Sequence, residues 1–218
     1  MRLASWACAS LGAAVIFGAA TSAFATNLNV RVQSGGSSSV TVPPGATVSW
    51  AVVGELSDNL NAGLALFSVD LGFSGGPLTQ AVNPTSGPML NFTRPAGLTN
   101  PPGATNPNGF GGTIVAGQLR QVGGAQNTIK NTFAPYPNGT VLTGVAAAGA
   151  PVTLASGQLT APVTPGTYTL TPSGLVANVI RQGETGTPFW HVDRANAGTV
   201  QSLVVQVSPT ATIRRRER

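Results

Sequence analysis

The chain has 218 residues, of which only 8% are charged, while 28 are glycine and 17 are proline. Long amphipathic helices need charged faces, so this composition excludes an all-α protein and favours a turn-rich β fold. The formal net charge of +5 arises at the C-terminal end, where Arg214, Arg215, Arg216 and Arg218 lie. Residues 26–213 carry six basic and five acidic side chains, so they lack the basic surface of a nucleic-acid-binding protein.

The first 25 residues have the three parts of a secretory signal peptide. Arg2 supplies a basic start, residues 3–20 are mostly apolar, and Ala23 and Ala25 form a small-residue cleavage site. We expect this leader to be removed and the mature chain to reach the cell envelope or the medium; a retained membrane anchor is the alternative. Cys8 is the one cysteine of the chain, so the mature protein has no disulfide, as suits a bacterial secreted domain.

Strand patterns begin directly after the leader. Residues 28–33 alternate apolar and polar side chains, and a second short run covers 40–42. Pro43 and Pro44 then interrupt the chain before a longer run at 47–53. Because proline cannot donate a ladder hydrogen bond, we expect the chain to pass from one sheet to another here. The clearest strand is 63–73, whose first half is apolar on both faces.

Strand and turn signals continue to residue 209. Further strands are predicted at 113–119, 140–145, 152–159, 167–171, 175–180, 188–192 and 200–207, with one helical turn within 118–126 or 193–197. Residues 83–112 form a long insert rich in Gly, Pro and Asn. The pattern predicts an all-β, antiparallel β-sandwich of jelly-roll or immunoglobulin-like type, with about 9–11 strands in one domain at 26–209.

Residues 210–218 form a basic tail that we expect to be disordered. The tail resembles the arginine cluster that ends bacterial Pro-Glu-Pro sorting signals, although the Pro-Glu-Pro motif and a transmembrane helix are missing before it. Contact with acidic envelope polymers is a further alternative. No segment after residue 25 has 18 uninterrupted apolar residues, so no transmembrane segment is expected in the mature chain.

Catalytic side chains are scarce. His191 is the one histidine, the mature chain has no cysteine, and no Gly-x-Ser-x-Gly elbow occurs. A hydrolase would have to use two of the five carboxylates of the body, and their spacing selects no pair. We therefore predict a protein without enzymatic activity and keep a hydrolase that depends on Asp and Glu as an alternative. These five carboxylates are Glu55, Asp58, Asp70, Glu184 and Asp193.

One loop concentrates oxygen-bearing side chains between two strands. Glu55, Asp58, Asn59 and Asn61 supply the hard oxygen donors that calcium prefers. The spacing is not that of an EF-hand, and an ordinary Asx-rich turn would explain the same residues. A structural calcium ion and an ordinary turn are thus the two alternatives for this loop, and no other cofactor is expected.

Aromatic side chains decide whether sugar binding is plausible, because planar rings stack on sugar faces. Tyr136 lies between two prolines and Phe110 between two glycines, so both are candidates for exposed rings. Trp190 alternates with Phe189 and His191 in a predicted strand and completes the candidate ligand-binding set. Each ring also suits a loop anchor or a core position, as predicted for Trp50.

Three segments resemble known modules. Residues 40–50, with their Pro-Pro-Gly turn before a strand, resemble the opening of cohesin-like modules. Residues 63–73 resemble the strand that follows in cohesins, and residues 157–170 resemble the late strands. Cohesins and several carbohydrate-binding modules share a jelly-roll sandwich, so the resemblance implies a non-catalytic binding role.

Together these features predict an exported, non-catalytic binding module that recognises a polysaccharide or a cell-surface protein. A structural surface or matrix module that associates with its own copies is the second hypothesis. Nucleic acid is not expected as a partner.

Overall fold

The computed structural model describes residues 26–84, 87–90, 92–93, 109–126, 142–182 and 190–209. The predicted leader, the basic tail and Tyr136 lie outside these residues, as does most of the 83–112 insert. In the part of the chain that is described, no helix has the length and apolar character needed to span a bilayer.

Eleven strands and one turn of 3-10 helix at Gly87–Met89 make up the regular structure of the described residues. The strands are β1 Asn27–Gln33, β2 Ser39–Val42, β3 Thr47–Leu56, β4 Gly63–Phe73, β5 Phe92–Thr93, β6 Phe110–Val115, β7 Gln118–Gln126, β8 Val152–Thr160, β9 Gly166–Gln182, β10 Trp190–Gln201 and β11 Leu203–Val207.

The strands form one curled sheet that folds into two layers. Its order is β5-β7-β4-β9-β10-β1-β3-β8, with β6 paired to β7, and β11 joining β2 to β9. Strand β10 pairs with β9 through 190–195 and with β1 through 196–201, so it passes from one layer to the other. The pairings are antiparallel except for β1 with β10 and β2 with β11. The predicted all-β sandwich is confirmed.

Alternating apolar side chains of both layers fill the space between them. In β4 the side chains of Phe67, Val69 and Leu71 are buried, while Ser68 and Asp70 between them are partly exposed. Each fully buried Leu or Phe stabilises the fold by roughly 1.5–3 kcal/mol. The prediction that Trp50 belongs to the core is confirmed. The largest fully buried side chains are Phe67, Phe92, Leu28, Leu56, Leu64, Leu71, Met89, Leu119, Leu154, Leu170, Ile180 and Leu203.

The turn between β2 and β3 changes the layer, as the prolines predict. β2 pairs with β11, whereas β3 pairs with β1 and β8 in the other layer. Gly45 has φ +73°, a left-handed conformation that glycine adopts without steric cost. Pro43 and Pro44 therefore lie where the chain crosses from one layer to the other.

Several local predictions are wrong, and strand pairing explains most of the differences. Residues 118–126 and 193–197 lie in β7 and β10 rather than in a helical turn. The strand predicted at 113–119 is a hairpin that turns at Ala116 (φ +49°) and Gly117 (φ +77°). Residues 142–145 form a loop that leads into a turn rather than a strand. The two strands predicted at 167–171 and 175–180 are parts of β9.

A short segment, residues 77–83, closes the side of the sandwich opposite β10; we call it the strap. The Ala81 N–H donates to the Gly111 carbonyl of β6 at 2.8 Å. One residue later, Val82 exchanges two hydrogen bonds of 2.7 Å with Ser156 of β8. The Asn83 side-chain amide donates to the Leu154 carbonyl of β8 at 3.1 Å. The strap therefore joins the two layers through main-chain and side-chain hydrogen bonds.

The strap packs so closely on β6 that residue 111 has no room for a side chain. A Cβ atom at Gly111 would overlap the carbonyl oxygen of Ala81. We expect Gly111→Ala to lower the free energy of unfolding by about 1–3 kcal/mol, the usual cost of overpacking. Urea unfolding monitored by circular dichroism measures this change.

Gly72→Ala is the matched control, because its Cβ would lie 3.4 Å from the nearest atom of Gln118, an ordinary contact. If Gly111→Ala proves as stable as Gly72→Ala, the strap does not hold the two layers as described.

Candidate binding face

The outward side of β6, β7, β4 and β9 forms a continuous surface of small and medium side chains, which we call the Asp70 face. Cross-strand pairing sets its rows, since paired residues point to the same side of a sheet. Asp70 pairs with Ser173, and Ser68 pairs with Val176. The outward residues along these four strands are Thr113, Val115, Gln118, Arg120, Ser68, Asp70, Gly72, Thr169, Thr171, Ser173 and Val176.

Asp70 lies at the centre of this face and accepts hydrogen bonds from the neighbouring strand. Its Oδ2 atom is 2.7 Å from an Nη of Arg120, and its Oδ1 accepts the backbone N–H of Gln121 at 2.8 Å. Gln121 has φ +57°, an uncommon conformation for a residue other than glycine. The carboxylate therefore stabilises a strained peptide and an arginine side chain at once.

Both strands that flank β4 bulge opposite Asp70. The β7 segment from Leu119 to Val122 contains one residue more than the β4 segment that pairs with it, Val69 to Leu71. In β9 the register also shifts beside Asp70, and Gly174 has φ +59° there. A Cβ atom on Gly174 would lie 3.2 Å from Asp70 Oδ2. Bulges increase strand twist and redirect side chains, so this site sets the curvature of the face.

A depression of about 300 Å³ lies next to this centre, because Gly72 has no side chain to fill its place. Hydroxyl and amide groups surround it, and two of them are already ordered. Ser74 Oγ accepts the Thr169 N–H at 2.9 Å, and Ser202 Oγ donates to Thr171 Oγ1 at 3.2 Å. The depression suits a neutral polar group. Its lining residues are Gly72, Phe73, Ser74, Gln118, Thr169, Thr171 and Ser173.

Exposed β-branched side chains flank the salt bridge. Val176 is 48% exposed on β9, and Val115 is 50% exposed at the end of β6. The side chain of Arg120 remains 46% exposed although it contacts Asp70. Apolar patches beside an ordered arginine are typical of surfaces that bind proteins.

No known sequence family matches the chain, and no curated protein matches it. Among solved structures, the chain is similar to the seventh ScaB type I cohesin from Pseudobacteroides cellulosolvens, with a TM-score of 0.51 and 11% identity over 88% of this chain and 99% of that one. The fold is a cohesin-like β-sandwich. This similarity confirms the cohesin-like fold that residues 40–50, 63–73 and 157–170 predict.

Two further cohesins match with lower TM-scores. A non-cellulosomal cohesin from the archaeon Archaeoglobus fulgidus has a TM-score of 0.46 and 11% identity, covering 84% of this chain and 91% of that one. The sixth cohesin from scaffoldin B of Acetivibrio cellulolyticus, solved in complex with a Cel5 dockerin, has a TM-score of 0.47 and 13% identity, covering 84% and 99%.

Of the three aromatic side chains predicted to bind a ligand, only that of Phe110 lies among the described residues. Phe110 begins β6 and is only 8% exposed, so the prediction of an exposed ring is wrong. Residue 110 pairs with Gly123 of β7, so it belongs to the sheet rather than to an open loop between two glycines. Trp190 begins β10, but its side chain and all of Tyr136 lie outside the described residues.

In the loop considered as a calcium site, the side-chain oxygen atoms accept hydrogen bonds from the protein itself. Asp58 Oδ1 accepts the Leu60 N–H at 2.9 Å and the Thr26 hydroxyl at 3.2 Å. Asn59 Oδ1 accepts the Ala148 N–H, and Asn61 Oδ1 accepts the Gly63 N–H. Glu55 Oε1 likewise accepts the Gly149 N–H at 2.7 Å. The described residues contain no group of three or more metal-binding His, Cys, Asp or Glu side chains. The geometry matches the Asx-rich turn.

Sequence reasoning missed Arg120 and Gln121 as partners of Asp70. From the sequence, Asp70 was considered only as one of five carboxylates that a hydrolase could use. The glycines at positions 123 and 124 were the available signal, because glycine within a strand often marks a bulge or a close backbone approach. The carboxylate that such a bulge contacts lies fifty residues earlier in the chain and could not be identified from spacing.

The Asp70 contacts predict a loss of stability when the carboxylate is removed. Asp70→Ala leaves the Gln121 N–H and Arg120 without their acceptor, so we expect the free energy of unfolding to fall by about 1–3 kcal/mol. Ser68→Ala, on the same strand and face, is expected to change it by less than about 0.5 kcal/mol. Equal effects of the two substitutions in urea unfolding would contradict this role of Asp70.

The hydrogen bonds of Asp58 also make stability depend on pH. Burial raises the pKa of its carboxyl, but hydrogen bonds from Leu60, Ser57, Thr26 and Asn61 lower it, and the resulting pKa lies below the usual 3.8. The ionised form is thus favoured by folding. Its stabilising contribution is complete well above pH 3.8 and is lost as the pH falls through the lowered value.

We therefore expect Asp58→Asn to melt at a lower temperature than the wild-type protein at pH 6, with the difference shrinking below pH 3.8. Melting curves from pH 2 to pH 7 measure it. Short hydrogen bonds are weakly screened, so the difference should persist in about 0.5 M salt. A difference that is constant across this pH range would contradict the assignment.

Proposed function

We propose that this cohesin-like sandwich is a non-catalytic binding module that docks a protein partner on the Asp70 face. The observation that carries the proposal is the exposure of Val115 and Val176 on either side of the fixed Asp70–Arg120 pair. The cohesin-like fold supports a binding role, since the sequence resemblance implies a non-catalytic module.

The chemistry of the face favours a protein over other partners. Protein interfaces are enriched in arginine and apolar side chains at their centre and depleted in other charges. Arg120 has five N–H donors, and its exposed fraction of 46% leaves several of them available to a partner. Asp70 holds the guanidinium in one place, so less side-chain entropy is lost when the partner binds.

The near-zero net charge of the domain affects the rate at which a partner would associate. With six basic and five acidic residues in 26–213, long-range attraction contributes little to the encounter. We expect an association rate in the ordinary range of roughly 10⁵–10⁶ M⁻¹s⁻¹ and a weak dependence on salt. Specificity would then rest on shape and on the central arginine.

A polysaccharide is the second candidate ligand, and the depression at Gly72 favours it. Its hydroxyl and amide lining suits the hydroxyl groups of a sugar. The face has no exposed Trp or Tyr among the described residues, so a stacking platform would have to come from residues such as Tyr136. The protein partner therefore ranks first.

We also propose that the protein is exported and works at the cell surface or in the medium. This rests on the pattern of the predicted leader. A partner on the Asp70 face would then be another envelope or secreted protein.

Aspartate substitutions on the two layers test the docking face. We expect Val176→Asp and Val115→Asp to weaken capture of a partner from the envelope and secreted fractions at least tenfold, a loss of about 1.4 kcal/mol. Val200→Asp is the matched control, because Val200 is 40% exposed on β10 beside β1 in the other layer. Capture quantified by mass spectrometry, with melting temperatures for every variant, measures the effect.

Three other outcomes would contradict the proposal. Val200→Asp reducing capture as much as Val176→Asp would place the partner elsewhere. Retardation by a soluble polysaccharide in affinity gels, lost in Val176→Asp, would replace the protein by a glycan. Concentration-dependent assembly in light scattering, abolished by the same substitution, would indicate a module that binds its own copies.

A further inference from the structure

A second depression, of about 450 Å³, lies at the free edge of β8, away from the Asp70 face. The strap forms one wall and β8 forms the other. Its lining carries no charged side chain: the residues are Ser49, Trp50, Thr79, Gln80, Val82, Ser156, Gly157 and Gln158. We call this depression the edge groove.

Main-chain groups of β8 point to its free edge, next to the edge groove. Both backbone groups of Ser156 bond to Val82 rather than to β3. Peptide groups in an antiparallel pair alternate in direction, so those of Gln158 and Thr160 point to the same free edge. Among the described residues, no backbone group pairs with Gln158 or Thr160 on that side.

The strap leaves this part of the edge open because it turns away after one residue. Val82 contacts β8, but the Ala81 N–H donates to Gly111 in the opposite layer. The Gln80 side-chain amide follows it and donates to the Gly112 carbonyl at 3.0 Å. Uncovered strand edges readily accept another extended chain unless charge or proline blocks them, and residues 156–160 contain neither.

The floor of the edge groove contains a buried hydrogen-bond donor without a partner. Trp50 is 2% exposed, and its Nε1 has no acceptor among the described residues. Gly157 lies directly over the indole, where a Cβ atom would overlap the ring. Tryptophan Nε1 can only donate, so an acceptor is the group that would complete this site.

We propose that the edge groove binds an extended, uncharged polypeptide segment of a partner, which adds to β8 as an extra strand. Its main chain bonds to the free peptide groups of Gln158 and Thr160, and a small polar side chain or carbonyl accepts the Trp50 Nε1–H. A polypeptide fits better than a glycan because the free peptide groups recur every second residue, about 6.8 Å apart, as in an added antiparallel strand. The neutral lining matches a neutral segment.

The binding mode is independent of the proposed docking face. The Asp70 face would recognise side chains on a folded partner, whereas the edge groove would recognise a main chain. The two surfaces lie on different layers of the sandwich, so one module would hold two segments at once.

The test uses the mature protein and a capped synthetic octapeptide, Ser-Val-Thr-Val-Asn-Thr-Ser-Val, as the probe. Amide and indole NMR signals follow its addition up to millimolar concentration. We expect the Trp50 indole N–H signal, assigned with Trp50→Phe, to shift downfield, and the amide protons of Gln158 and Thr160 to exchange with solvent at least tenfold more slowly.

Two substitutions at one position separate main-chain from side-chain recognition. Gln158→Pro removes the N–H that points away from β3 and is expected to weaken peptide binding at least tenfold, without loss of a ladder bond to β3. Gln158→Ala keeps the N–H and should bind within about twofold of the wild type. Val176→Asp should also bind normally, which keeps this test separate from that of the Asp70 face.

Unchanged indole and amide signals at millimolar peptide would overturn the proposal, even without any variant. Equal losses in Gln158→Ala and Gln158→Pro would also overturn it, because the side chain would then be the recognised group. If the same signals shift with protein concentration alone, a second copy of this chain occupies the groove instead.

Discussion

Strand β10 belongs to both layers of the sandwich, and both surfaces depend on this shared strand. Residues 190–195 pair with β9, and residues 196–201 pair with β1 in parallel. Because buried peptide groups must stay paired, a shift of β10 in one layer would break the ladder in the other. Asn29 accommodates the crossing: its Oδ1 accepts the Thr199 N–H at 2.9 Å, and Gly198 leaves space for it. The two layers are thereby fixed relative to each other.

On that frame, a single carboxylate shapes the candidate binding face. Asp70 meets a bulge on each side, and it satisfies both the left-handed Gln121 and the guanidinium of Arg120. A position that stores strain and holds an exposed arginine in one orientation is preorganised for contact. The group that stabilises the bulges therefore also positions the guanidinium.

At the β8 edge, beside the strap, the sandwich exposes main-chain groups rather than a row of side chains. The strap joins the layers through Ala81 and Val82 and then leaves the end of β8 uncovered. Ser156 of β8 is paired with the strap, whereas Gln158 and Thr160 have no main-chain partner on that edge among the described residues. A sandwich built in this way offers side-chain recognition on a face and main-chain recognition on an edge. These two modes differ in their chemistry, so they need not compete for one partner.

Local patterns in the sequence determined the strand-rich fold, the position of β4, the layer change at Pro43 and Pro44, and the burial of Trp50, since alternation and proline chemistry act over a few residues. The resemblance of three short segments to cohesins also implied the cohesin-like fold. Only the tertiary structure decided that Phe110 is buried, that Asp70 meets Arg120, and that the strap covers part of the β8 edge. Asp70 and Arg120 are 50 positions apart, the strap contacts join residues 30 and 74 positions apart, and Phe110 pairs with Gly123, 13 positions later. Their meeting is set by sheet order and register, which spacing along the chain does not encode.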